Sequence, residues 1–248
     1  MALELGAKTG RKTKRKRVLM FCANIYILHI AFYFGYICRV NTKRIVISIA
    51  RIALSVAIFI VFVVRMYVIV TKHQAIVDTL SYFTYESNLF AGVVFGLLGY
   101  RAIKSRSVAN LQGYRGAATA YLLITGIIFN LLLNAPSFGT SEILVNILYH
   151  HIAPLYVAID FVLDTPIPPI TYRRALLWVI YPIAYMIYTF VRGAITKWYP
   201  YPFFDALHHS FATVATNVVG LVVFGLVLFF VLSQVSKRVP SLFKTSAS

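Results

Sequence analysis

Cysteine and acidic residues are both scarce in this chain. It contains two cysteines, Cys22 and Cys38, and seven acidic residues among 248. Two cysteines within one apolar segment cannot form a disulfide framework or a metal knuckle. The sequence also contains no N-x-S/T glycosylation site and no carboxyl-terminal lipidation motif. The motifs G-x-S-x-G and His-Glu-x-x-His and a glycine-rich phosphate loop are missing as well, which excludes the commoner catalytic routes.

Apolar residues, in contrast, dominate the chain. They make up 60% of it, and the mean hydropathy is +0.77. Because about 20 apolar residues in a helix cross the hydrocarbon core of a bilayer, each long apolar run predicts a transmembrane helix. Six such runs occur: Ile45–Val70, Tyr82–Tyr100, Ala117–Asn134, Ile143–Leu163, Ala175–Arg192 and Phe211–Ser233. The sequence therefore predicts an all-α, polytopic membrane bundle without room for a soluble catalytic domain.

The net charge of +17 comes from basic residues in the loops and at the amino terminus. Basic loops on so apolar a protein indicate topology and contacts with anionic lipid head groups rather than nucleic-acid binding. Thirteen lysines and arginines fall on one side of the six predicted spans and four on the other. The positive-inside rule places the thirteen in the cytoplasm, with both ends of the six-span core inside a bacterial plasma membrane.

A seventh apolar segment, Val18–Cys38, has basic residues on both flanks. If it crossed the membrane, either the basic run at its amino-terminal side would be translocated or the whole core would invert. We expect it to lie at the inner interface or beside the bundle as an extra helix. The predicted organisation is thus a basic tail and hydrophobic segment over 1–38, a six-span bundle over 39–235 and a cytoplasmic tail over 236–248.

Small residues and one acid point to contacts within the bundle. Gly92 and Gly96 are spaced so that two helix backbones can approach closely. This spacing predicts a packing seam inside the bundle or, alternatively, a dimer face. Asp160 lies near the predicted cytoplasmic end of span four. We interpret it as structural, paired with a basic residue such as Arg101 or Arg174.

Polar residues collect at the opposite, predicted outer depth. Thr84 lies in the first two turns of span two, and His150 lies roughly 10 Å below the surface of span four at helical rise. Arg192 ends span five, whose tyrosines share its face. Polar groups at membrane depth are costly and serve as functional hypotheses. The candidate substrate-binding residues at this depth are Asn88, Glu86, Tyr185, Arg192, Tyr199 and Asp205.

Three motifs carry a family resemblance. They are Ser-Tyr-Phe-Thr-Tyr-Glu-Ser-Asn (81–88), Leu-Tyr-His-His-Ile-Ala-Pro (148–154) followed by Asp160, and Arg-Gly with Trp-Tyr-Pro-Tyr-Pro-Phe-Phe-Asp (192–205). In these motifs the chain resembles the predicted six-pass bacterial membrane proteins. More distantly, it is similar to the eukaryotic androgen-induced-gene family, whose members hydrolyse fatty-acid esters of hydroxy fatty acids. The resemblance covers about residues 45–233.

This resemblance implies a catalytic pair. Thr84 matches the threonine nucleophile of the eukaryotic family, and His150 matches its histidine, with His151 as the competing choice. A threonine hydroxyl requires a base within hydrogen-bond reach and donors for the developing oxyanion. Membrane lipids and an amphiphilic acyl compound are the expected partners, and no cofactor is expected.

Three alternatives stay open. One is a transporter or binder in which Glu86, His150 and Arg192 form a binding or proton-relay site. Another is a non-catalytic membrane protein, in which Thr84 bonds backbone groups and Tyr199 and Tyr201 belong to an interfacial aromatic belt. The third is a metal site built from His150 or His151 together with His208 or His209.

Overall fold

Regular structure in the computed structural model is helical throughout the residues that it describes, 42–133 and 139–240. The predicted segment Val18–Cys38 lies outside them, as does Asn134, the predicted end of span three. Nine α-helices occur in the described part: α1 (Thr42–Thr71), α2 (Ile76–Leu80), α3 (Phe83–Ile103), α4 (Gln112–Ile128), α5 (Thr140–Ile147), α6 (Ala153–Leu163), α7 (Tyr172–Ala175), α8 (Ile180–Thr196) and α9 (Phe211–Arg238).

Short turns join several of these helices into longer ones. A π-helical turn, Phe129–Leu133, continues α4, and a second one, Leu148–Ile152, connects α5 to α6. A 3₁₀ turn, Leu176–Val179, connects α7 to α8, and others occur at Ala109–Leu111 and Pro202–Phe204.

Five helices are long and apolar enough to cross a membrane, by length and composition. They are Thr42–Thr71, Ala109–Leu133, Thr140–Leu163, Tyr172–Thr196 and Phe211–Arg238. The chain is therefore an all-helical, multi-pass membrane protein in its described part, as the sequence predicts. The predicted second span forms α3, which has 21 residues but is not among the five. Glu86, Asn88 and Arg101 make α3 less apolar than the other long helices, so the count of six spans is not confirmed.

α3 lies inside the bundle and packs closely on α1. Twelve of its 21 residues are buried. A Cβ atom added to Gly96 would lie 2.7 Å from Ser55 Oγ, and one added to Gly99 would lie 2.6 Å from the Ser48 carbonyl oxygen. Both distances are shorter than van der Waals contact, so the glycines allow the two backbones to approach. The glycine seam of α3 is thus a packing seam between helices of one chain.

A buried charge cluster joins three helices at one end of the bundle. Asp160 of α6 accepts from Arg51 Nε of α1 at 2.8 Å and pairs with Arg115 Nη2 of α4 at 2.6 Å. Asp164 pairs with Arg51 Nη2 at 2.6 Å. The predicted partners of Asp160 were therefore wrong, because Arg101 instead donates to Asn110 Oδ1 at 2.8 Å. Arg101 lies on α3 and Arg174 on α7, whereas the two arginines that reach Asp160 lie on α1 and α4.

The other end of the bundle gathers the start of α3, the late turns of α1 and the two π-helical turns. The loop from Trp198 to Asp205 folds onto the same end, where Asn217 Nδ2 of α9 donates to the Phe203 carbonyl at 3.1 Å. Since α1, α3 and α4 alternate in direction, residues far apart in sequence meet there. Thr84 and His150 belong to this end, opposite the charge cluster.

Candidate active site

Thr84 and His150 form a buried pair. Thr84 Oγ1 lies 3.3 Å from His150 Nε2, and the two residues are 6% and 8% exposed. Thr84 occupies the first turn of α3, where no side chain caps the helix, and its own hydroxyl points toward the imidazole. A nucleophile and a base within hydrogen-bond reach are the minimum that nucleophilic catalysis requires, and such contacts are often long before substrate binds.

The local backbone presents His150 to Thr84. His150 lies in the π-helical turn Leu148–Ile152, in which the Ala153 N–H bonds to the Leu148 carbonyl. Pro154 follows and has no N–H to donate to the His150 carbonyl, so a regular helix could not be completed here. The ring of Phe129 stacks on the imidazole with centroids 3.8 Å apart and planes within 1° of parallel. Phe129 thus fixes the plane in which the ring nitrogens point.

The second imidazole nitrogen of His150 is buried without a hydrogen-bond partner. A neutral imidazole has one protonated and one accepting nitrogen. If Nδ1 carries the hydrogen, Nε2 is free to accept from the Thr84 hydroxyl. The arrangement is a dyad without an orienting carboxylate, and Phe129 takes over the orienting role.

Tyr201 is the third polar group of the site, and sequence reasoning missed it by assigning it to an aromatic belt. Its hydroxyl oxygen lies 3.4 Å from Thr84 Oγ1 and accepts from the Thr84 backbone N–H at 3.4 Å. Burial raises the pKa of Tyr201, which lies in the loop before α9, above its ordinary value. The hydroxyl therefore stays protonated and can donate. Pro200 and Pro202, which flank it in the sequence, are the signal for a stiff loop that could hold it in place.

An apolar cavity with about 100 Å³ of free space has Thr84, His150 and Tyr201 in its wall. Its other lining residues come mainly from α4, α8 and α9. They include Ile124, Ile128, Pro182, Met186, Leu221, Gly225 and Phe229. Such a wall offers few hydrogen-bond partners to water and suits an alkyl chain.

A second, more polar chamber lies on the other side of the pair. It has about 360 Å³ of free space and shares Thr84, His150 and Tyr201 with the apolar cavity. Its own lining includes Arg65 and Glu142, whose side chains pair at 3.3 Å. The hydroxyl and imidazole therefore stand where an apolar space and a polar space meet.

Tyr185 is the one predicted substrate-binding residue that lines the apolar cavity with the pair. Its hydroxyl donates to the Ser81 carbonyl at 2.9 Å and accepts from the Phe83 N–H at 3.3 Å. Asn88 is fully buried, and its Nδ2 donates to the Thr84 carbonyl at 2.9 Å. Asn88 thus supports the backbone at Thr84 and lines neither chamber.

Glu86 and Arg192 have partners of their own elsewhere. Tyr181 donates to Glu86 Oε2 at 2.5 Å, and Glu86 lines a different cavity between α3, α4 and α8. Arg192 pairs with Asp78 at 2.5 Å and lies over the ring of Trp198. Neither lines the two chambers that contain His150. The structure therefore does not bring Glu86, His150 and Arg192 into one relay.

The last predicted residues belong to the loop before α9. Tyr199 packs against Gly193, where an added Cβ would overlap its ring, and against Phe190. Asp205 accepts from the Leu207 and His208 backbone N–H groups and pairs with His208 Nδ1 at 2.6 Å. This hydrogen bond from His208 holds the pKa of Asp205 below its usual value. The described residues contain no group of three or more metal-ligating side chains.

Comparison with known proteins gives no family assignment. No protein-family model, curated protein or solved structure matches this chain.

Proposed function

We propose that the protein is a membrane-embedded lipid-ester hydrolase in which Thr84 is the nucleophile and His150 the base. The observation that carries the proposal is the 3.3 Å approach of Thr84 Oγ1 to His150 Nε2 between an apolar and a polar chamber. An amphiphilic ester has the same division, with an acyl chain on one side of the carbonyl and an alcohol on the other.

The reaction needs only groups of this chain. Thr84 Oγ1 attacks the ester carbonyl carbon, and its proton passes to His150 Nε2. The carbonyl oxygen becomes an alkoxide, to which the Tyr201 hydroxyl donates. Collapse of this intermediate breaks the bond to the alcohol, which leaves with the proton from His150. Water, deprotonated by His150, then attacks the acyl-Thr84 carbonyl carbon. The bond to Thr84 Oγ1 breaks, His150 returns the proton to Thr84 Oγ1, and the acid leaves.

The charge distribution supports an outer location for the site. The basic loops gather at the end of the bundle that contains Arg51 and Arg115, away from Thr84. Under the positive-inside rule, the reaction takes place in the outer half of a bacterial plasma membrane, with both ends of the core cytoplasmic. Substrate reaches the site laterally from the lipid.

The sequence resemblance supports the same assignment. Thr84 and His150 match the catalytic threonine and histidine of the androgen-induced-gene family, and the family's substrates are lipid esters. The reaction type is taken from that family. Which acyl and alcohol groups this chain accepts depends on the shape of the two chambers.

Covalent labelling of the purified full-length protein by a fluorophosphonate probe tests the nucleophile. We expect labelling of the wild type and of Thr84→Ser, and none of Thr84→Val, which has the same shape without a hydroxyl. Ser87→Ala is the matched control, since Ser87 is a buried hydroxyl three residues away that bonds to Thr125 at 3.2 Å. His150→Gln should slow hydrolysis of a 4-nitrophenyl ester by about 10²–10⁴-fold, the usual contribution of a general base.

Two results would contradict the proposal. One is labelling that persists in Thr84→Val or disappears in Ser87→Ala. The other is ester hydrolysis that His150→Gln leaves unchanged. Ester binding without turnover in the wild type would instead indicate a lipid-binding protein.

A further inference from the structure

The lining of the apolar cavity follows about two turns of α9. Its lining residues on α9 extend from Leu221 to Phe229, which is roughly 12 Å at helical rise. Thr84 and Phe229 both belong to the lining, and Phe229 packs edge-on against Trp178 with centroids 5.6 Å apart.

The interior of this cavity gives water little to bond to. Besides Thr84 and Tyr201, the wall contains two hydroxyls, and both have partners in the protein. Thr125 Oγ1 donates to the Tyr121 carbonyl at 2.8 Å, and the Tyr185 hydroxyl donates to the Ser81 carbonyl at 2.9 Å. The remaining side chains there are aliphatic, aromatic or sulfur-containing. A cavity without polar partners stays dry or takes an apolar ligand.

We infer that this cavity is the acyl-chain site of the proposed hydrolase and that Gly225 sets the length of the chain it accepts. The inference rests on the proposed function, because the acyl carbonyl then lies at Thr84. A fully extended chain roughly 12 Å long, which is the length of the lining on α9, holds on the order of eight to ten carbons, given ordinary carbon–carbon bond lengths and angles. The substrate class is therefore an ester of a medium-length acyl chain.

Gly225 is the position in the wall where a side chain can be added. A Cβ atom there would lie 3.9 Å from Ile124 Cδ1 and 4.0 Å from Phe229 Cζ, which is ordinary van der Waals contact. A methyl group therefore fits, whereas a larger side chain extends into the space for the alkyl chain. Gly220 of the same helix is exposed, and an added Cβ there meets nothing within 4 Å. Gly220 thus provides a matched control on the same helix.

Photocrosslinking measures chain length independently of catalysis. Saturated fatty acids of six to sixteen carbons, each with a terminal diazirine, are crosslinked to the full-length protein in lipid nanodiscs, and the labelled residues are mapped by mass spectrometry. We expect labelling of the wild type at Ile124 and Phe229, with a maximum at about eight to ten carbons. In Gly225→Leu the maximum should move to about three or four carbons fewer, with at least a fivefold loss at ten carbons. Gly220→Leu should keep the wild-type profile.

A second variant keeps the inference testable if Gly225→Leu does not fold. Phe229→Leu shortens the lining side chain that an added Gly225 Cβ would contact, so its labelling maximum should move to longer chains. A length profile that neither variant moves, or labelling confined to lipid-exposed residues, would overturn the inference.

The inference and the proposed function fail in different ways. The Thr84→Val variant should keep the labelling profile while it loses hydrolysis. If the profile depends on Gly225 but wild type hydrolyses no ester, the acyl site stands and the hydrolase is refuted. If hydrolysis depends on Thr84 but the labelling profile is the same in Gly225→Leu, the hydrolase stands and the acyl site is refuted.

Discussion

The Tyr201 hydroxyl is the group whose removal tests the proposed oxyanion contact most directly. Tyr201→Phe keeps the ring, which stacks on Phe203 with centroids 5.1 Å apart, and removes one donor. Loss of a single oxyanion donor typically lowers kcat by about 10²–10³-fold, or roughly 2.7–4 kcal/mol. The hydroxyl lies 3.4 Å from Thr84 Oγ1, which is longer than an ideal hydrogen bond. We therefore expect the smaller loss in kcat, about 10²-fold. The KM should stay unchanged, since the contact strengthens only in the transition state.

Steady-state hydrolysis of an octanoyl ester by the full-length protein in nanodiscs measures this effect. Tyr149→Phe is the matched control, because Tyr149 is fully buried and its hydroxyl donates to the Ile58 carbonyl at 2.8 Å, away from both chambers. Tyr149→Phe loses one buried hydrogen bond and Tyr201→Phe two long ones, and each such bond contributes about 1 kcal/mol of folding free energy. A kcat for Tyr201→Phe within twofold of that for Tyr149→Phe would refute the assigned role.

Two further predictions concern stability, measured by thermal unfolding in detergent. Asp160→Asn removes a negative charge from between Arg51 and Arg115 and should lower the free energy of unfolding by about 3 kcal/mol, the lower end for a broken buried ion pair. In the control Glu142→Gln, the side chain is 45% exposed, so the loss should be under about 1 kcal/mol. Equal melting temperatures for the two would count against a stabilising cluster. Gly99→Ala places a methyl group against backbone of α1 and should cost about 1–3 kcal/mol, as overpacking does. Gly113→Ala, where nothing lies within 4 Å, should be neutral or stabilising, and the reverse order would contradict the packing seam.

Much of the fold could be predicted because hydrocarbon imposes a simple rule. A long apolar run has few alternatives to a spanning helix, so five of the six predicted spans correspond to helices long and apolar enough to cross. The rule works less well for α3, because its buried residues include the polar Thr84, Ser87 and Asn88. Polar side chains are tolerated where neighbouring helices bury and bond them, and they lower the hydropathy of the run.

The sequence indicated that Thr84 and His150 lie at a similar depth, and the family resemblance predicted them as a pair. The other contacts required geometry that a sequence does not contain. Glu86 follows Thr84 by two residues, which rotates it about 200° around α3 and away from the pair. Asn88 does share the face of Thr84, yet its amide turns back to its own helix. Tyr201 reaches the pair only because a loop folds inward, and loop paths leave no periodic signal.

The π-helical turn at Leu148–Ile152 decides which of two adjacent histidines meets the threonine. One extra residue in a turn rotates everything before it by about 100° relative to everything after it. With that insertion, His150 points inward and His151 bonds instead to the Asn146 carbonyl at 2.8 Å. Which of the two histidines faces Thr84 therefore depends partly on Pro154, four residues after His150. The proposed reaction would therefore depend on Pro154, a side chain outside the Thr84–His150 pair.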